Sequence, residues 1–99
     1  VPMLEDIREG LRPIWSVYVL INKTKKEIYF GVSKRPCERI SEEHARGETE
    51  AIAEWNWITD EIVEDILYSE LDRYSASRKA HHLETCVFKG YKVHQTAGI

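Results

Sequence analysis

Nowhere in the 99 residues does an apolar run approach the roughly 18 that a membrane-spanning helix needs. The opening segment, VPMLEDIREGLRP, mixes charges and carries no apolar stretch of the secretion-signal kind. Cysteine is scarce. Cys37 and Cys86 lie far apart and form no CxxC pair, so a zinc cluster has no support. The expectation is reduced thiols in a cytoplasmic protein. Internal repeats and low-complexity tracts are also absent. No strong excess of one charge exists either: the formal net charge is −3. That value argues mildly against a nucleic-acid partner, although its distribution matters more than its sum.

What remains suits one globular domain over residues 1–99, with 1–14 as an N-terminal extension. Hydrophobic residues make up 42% and charged residues 31%, a balance that folds rather than staying disordered. Charge is segregated along the chain. Residues 22–39 carry six Lys/Arg against two Glu, residues 42–70 ten Asp/Glu against Arg46 alone, and residues 71–99 five Lys/Arg against two acids. Two basic segments therefore flank an acidic one. Gathered on one face, the basic segments would meet a phosphate backbone; dispersed, they are a solvated surface. The chain opens on Val-Pro-Met, which suggests processing, a tag or excision from a larger parent protein.

Local patterns predict the elements. Residues 3–10 read as a short helix stopped by Gly10 and Pro13. SVYVLIN (16–22) and IYFGVS (28–33) are β-branched and aromatic, joined by the short KTKKE, so they predict an antiparallel hairpin. Pairing Asn22 with Glu27 sets Tyr18, Leu20, Tyr29, Gly31 and Ser33 on one face. Val17, Val19, Ile21, Ile28, Phe30 and Val32 take the other, which is uniformly apolar and reads as the core face. Pro36 starts a helix that Gly47 ends, with Cys37, Ile40, Ser41 and His44 along one side. A second helix is expected around 49–58, packing Ala51, Ile52, Trp55 and Ile58. Residues 61–69 fit helix or strand, and strand is preferred. A last helix, about 76–90, is expected to be capped by Ser75 or Ser77 and closed by Gly90. The fold class is α/β (α+β): a small three-stranded, mainly antiparallel sheet flanked by helices.

One residue breaks its pattern. The last helix has the apolar stripe Ala76, Ala80, Leu83, Val87, Tyr91, and Glu84 falls inside it. A carboxylate aimed at a core is costly unless it is paired or binds metal. A structural ion pair and a metal or catalytic site both remain open. Tyr18 and Tyr29 are likewise open between core aromatics with wet hydroxyls and site residues. His81, three residues before Glu84, suggests a metal pair, but adjacent His81 and His82 on a charged helix read rather as surface residues, and His94 is uninformative.

Taken in order, these residues resemble the GIY-YIG endonuclease family. Ser16-Val17-Tyr18 and Tyr29-Phe30-Gly31 are similar to its paired signature at its usual spacing. Arg39 falls where the family has its helix arginine, and SRKAHHLE, ending at Glu84, resembles its later helix with a metal-binding glutamate. Ser16 replaces the first motif's glycine, and Phe30 replaces the second motif's isoleucine. The family often has a histidine four residues after the arginine. Here that position is Glu43 and His44 follows, about 140° from Arg39 on an ideal helix. Gln95 is the candidate for a late family asparagine.

The resemblance implies divalent-metal-dependent endonuclease hydrolysis of DNA phosphodiester bonds. It implies Mg²⁺ (or Mn²⁺) on Glu84 and a catalytic set of Tyr18, Tyr29, Arg39, Glu84 and His44, with His44 the weakest member. Gly31, Lys26, Lys34 and Arg35 are the substrate-binding candidates. A tyrosine serves as base only if a cation lowers its pKa, a task for Mg²⁺ and Arg39. Relatives commonly append an accessory DNA-binding domain. The alternative is a catalytically inactive domain of the same family that binds nucleic acid or protein.

Overall fold

The hairpin forms in the expected register. In the computed structural model, which describes residues 2–95, β1 (Trp15–Asn22) pairs antiparallel with β2 (Glu27–Ser33), matching Asn22 to Glu27, Leu20 to Tyr29 and Tyr18 to Gly31. The turn is held by side chains. Lys25 N–H donates to Asn22 Oδ1 at 2.9 Å, while Asn22 Nδ2 donates to Asp60 Oδ2 at 2.9 Å. Asn22 is fully buried, so these bonds offset the cost of hiding an amide.

Segment 61–69 is a strand, as preferred: β3 (Ile62–Leu71) pairs antiparallel with the other edge of β1. The register slips between Trp15 and Tyr18, where β3 carries an irregularity. A fourth strand extends the predicted three. β4 (Lys92–Val93) runs parallel to β2, giving the order β3-β1-β2-β4. Two residues with no alternation of their own leave little pattern to read.

Both faces of the β1–β2 hairpin are buried while β3 stays largely exposed, which corrects the assignment of the core to the valine face alone. Val17 packs with Ala76 and Ala80 of α3 (Arg73–Thr85), and Val19, Ile28 and Phe30 pack with Leu83 and Phe88. On the other face Tyr18, Leu20 and Tyr29 join Ile40, Ile52 and Trp55. Each aliphatic side chain so buried contributes about 1.5–3 kcal/mol. Phenols belong here because their rings are apolar and the hydroxyl finds a partner.

Helical details differ from expectation at the ends. The N-terminal helix is α1 (Pro2–Leu11). Helix α2 (Pro36–Arg39) runs into a π turn (Ile40–His44), and Cys37 and Ser41 are exposed although Ile40 and His44 are buried. The helix expected at 49–58 shrinks to a 3₁₀ turn (Glu50–Ile52). Ile58 is 94% exposed, because Asn56 Oδ1 accepts from the amides of Ile58 and Thr59 and turns the chain outward. The cap of α3 is Asp72, which accepts from Ser75 N–H at 2.8 Å, so Ser75 is a donor to the cap. The helix stops at Thr85, leaving Val87 94% exposed, while Gly90 takes φ +83 in the following turn. Among the described residues no helix is long and apolar enough to cross a membrane.

Candidate functional site

Tyr18 and Tyr29 leave the same face of neighbouring strands and meet His44 from the π turn. The three rings form a triangle with centroids 6.5 Å (Tyr18–Tyr29), 5.7 Å (Tyr18–His44) and 5.1 Å (Tyr29–His44) apart. Tyr18 Oη lies 2.6 Å from His44 Nε2, and Thr49 Oγ1 bonds His44 Nδ1. Either neutral tautomer satisfies both ring nitrogens. Thr49 was invisible as a site residue in the sequence. The only available signal was its position two residues beyond Gly47, whose φ of +77 turns the chain back toward the histidine.

Gly31 stands opposite Tyr18 for a steric reason. A Cβ there would lie 2.1 Å from Tyr18 Cζ. Glycine therefore gives the phenol its space, a role distinct from the substrate contact expected of it.

The π turn removes the angular objection to His44. Ala45 N–H donates to Ile40 O, an i→i+5 bond. In such a turn residues five apart stack much as residues four apart do in an α-helix. His44 faces Tyr18 close enough to Arg39 to feel its charge, while Arg39 itself pairs with Glu43 on the cleft side. The Arg39 guanidinium donates to Val32 O at 2.9 Å and lies 3.2 Å from Glu43 Oε2.

Burial dominates the electrostatics. Tyr18 and His44 are both 0% exposed. Burial pushes the Tyr18 phenol well above its ordinary value, and Arg39 only partly opposes this. Arg39 alone therefore does not bring the Tyr18 phenol below its ordinary value. His44 is pushed down to about 4, first by burial and then by Arg39, with Glu43 opposing. At neutral pH the pair is a protonated phenol against a neutral imidazole.

Arg39 lines a cleft of about 240 Å³ with Lys34 and Arg35 at the open end of the hairpin. Lys34 is engaged there: it lies 2.8 Å from Glu9 Oε1 and 5.7 Å from the Trp15 ring centroid. Arg35 lies 3.5 Å from Glu38. Lys26 is placed elsewhere, in the β1–β2 turn over the Tyr91 ring.

Glu84 enters from α3, on the side of the sheet opposite the tyrosines, in the same buried stripe as Ala76 and Ala80. It is 3% exposed, as its place in the apolar stripe predicted. Gln95 Nε2 donates to its main-chain oxygen at 2.6 Å. Among the described residues no group of three or more His, Cys, Asp or Glu is placed to hold a metal. Mg²⁺ keeps most of its waters, and a carboxylate buried to 3% exposure leaves them no room, so Glu84 as placed does not fit a hydrated ion.

The family model described as the GIY-YIG catalytic domain matches residues 14–97. Comparison with curated proteins and with solved structures returns no match.

Proposed function

The chain belongs to the GIY-YIG catalytic-domain family, a family of nucleases, and from that premise we propose that it is a divalent-metal-dependent endonuclease cleaving DNA phosphodiester bonds. The observation that carries the reading is Arg39, lining an open cleft while acting electrostatically on the buried Tyr18–His44 pair.

Arg39 and Lys34 present cationic donors to a phosphate entering the cleft, and a guanidinium grips two of its oxygens at once. Val32 O and Glu43 hold that guanidinium in place. Tyr18 and His44 act from within: their hydrogen bond fixes the rings against which Tyr29 packs. With its proton held and its pKa raised, Tyr18 is a poor base at rest. Tyr29 is also buried, at 5% exposure, and packs against His44 beneath the cleft residues. Glu84 matches the family's metal-binding glutamate, but it is 3% exposed and stands on the side of the sheet away from Tyr29, so it would hold Mg²⁺ or Mn²⁺ only after a rearrangement that opens it to solvent. When bound, that ion supplies charge neutralisation on the phosphoryl oxygens.

The test is conversion of supercoiled plasmid to nicked and linear forms with Mg²⁺ or Mn²⁺. Wild type is expected to cut, and Glu84→Gln and Arg39→Ala to lose about 10²–10³-fold in rate. Equal rates in wild type and Glu84→Gln, including none at high enzyme, sink the endonuclease claim. The burial of Tyr18 and His44 favours one second reading, a catalytically silent member that binds nucleic acid or protein. That reading expects no cleavage, with gel-shift or pull-down binding that survives Glu84→Gln.

A further inference from the structure

Helix α3 buries one side and offers the other. Ser75, Arg78, Lys79 and His82 follow i, i+3, i+4, i+7 spacing and so share one outward side. With Tyr68 of β3 and Leu83 they line a groove of about 400 Å³. No carboxylate lines it, whereas Glu38, Glu42 and Glu43 line the cleft around Arg39. Lys79 Nζ stands 4.7 Å from the Tyr68 ring centroid, which orders the lysine beside an aromatic wall. Among the described residues neither Arg78 nor Lys79 is tied in an ion pair, unlike Lys34, Arg35 and Arg39. The nearest helix-end acid, Asp72, is spent on capping: it accepts from Ser75 N–H and Ser75 Oγ–H at 2.8 Å each.

Helix α3 starts beside the cleft and runs along the groove. Trp15 lines the cleft, and its ring has Lys34 Nζ and Arg73 Cζ each 5.7 Å from its centroid. Arg73 is the first residue of α3, and Arg78 follows about 7.5 Å further along the helix axis. Arg73 marks the cleft end of α3, and Arg78 and Lys79, turned about 140° and further round the helix from it, mark the groove on the adjoining side.

We infer that this groove is a second phosphate-binding site, which takes the DNA backbone flanking the strand held at Arg39. The inference rests on the nuclease reading above. Contacts of this kind carry no sequence information; they add affinity and fix the orientation of the duplex.

The test is fluorescence-anisotropy binding of a short labelled duplex in EDTA, which prevents cleavage, over a series of salt concentrations. Arg78→Ala/Lys79→Ala is expected to bind several-fold more weakly at low salt, with the log–log salt slope shallower by about two. The charge-conserving Arg78→Lys/Lys79→Arg stays near wild type, as does Lys23→Ala/Lys25→Ala at the hairpin turn. Circular dichroism verifies folding. A duplex bound by wild type and by Arg78→Ala/Lys79→Ala with equal affinity and slope overturns the groove and leaves the nuclease reading standing. Duplex displaced by inorganic phosphate at matched ionic strength overturns the backbone track in favour of a small-anion site. Failure of wild type to bind any duplex overturns both readings.

Discussion

At the residue scale the candidate site depends on space and on proton placement. Gly31 is required because the Tyr18 ring occupies the volume a side chain would take. Gly31→Ala is expected to cost about 1–3 kcal/mol by overpacking. The measurement is the urea midpoint, and an unchanged midpoint would mean that the fully buried Tyr18 ring moves aside freely. Tyr18, Tyr29 and Arg39 were legible from the chain because their motif spacing and the hairpin register are local. Thr49 was not, since threonine is common in loops and only the returning chain brings its hydroxyl to His44.

At the element scale the π turn is the informative feature. It inserts one residue into a helix without turning His44 away from the tyrosines. Deleting the exposed Glu42 leaves the histidine four residues after Arg39, where an ordinary α-helix puts it on the same side. Thermal unfolding of that deletion variant is expected within about 1 kcal/mol of wild type. Adding an alanine between Glu42 and Glu43 instead is expected to cost about 1–3 kcal/mol through the lost, buried Tyr18–His44 bond. Equal stability of the two variants would rule out this account. One angular step per residue correctly put His44 on the buried side with Ile40, but its offset of about 140° from Arg39 holds only for an ideal α-helix, and the helix changes its pitch there.

At the scale of the whole molecule, acid stability follows from the interior. His44 has a folded-state pKa pushed down to about 4 against an ordinary 6.5. Below 6.5 the unfolded chain takes up a proton that the folded protein refuses. Stability is therefore expected to fall as pH drops from about 6.5 to about 4, by up to about 1.4 kcal/mol per pH unit and about 3 kcal/mol in total. The carboxylates of Glu9, Asp60 and Asp72 are held below their ordinary values by hydrogen bonds with Lys34, Asn22 and Ser75, respectively. Their contributions are present at neutral pH and are lost only at lower pH, as they protonate. Urea unfolding between pH 7 and 4.5 isolates the histidine. His44→Gln should flatten that limb, and an equal slope in the variant would remove His44 as its cause.

The sequence by itself determined the hairpin register, the order of the elements, the lone carboxylate in an apolar stripe and the family. Each of these rests on short-range alternation or spacing, which the chain carries wherever it folds. Tertiary structure decided the rest. A hairpin covered on both sides converts the two tyrosines from half-wet phenols into a buried network, and for Tyr18 burial outweighs the neighbouring arginine. It places Glu84 on the far side of the sheet and sets Trp15 between two cations. Desolvation and long-range proximity depend on what packs against a residue, and no local pattern encodes that partner.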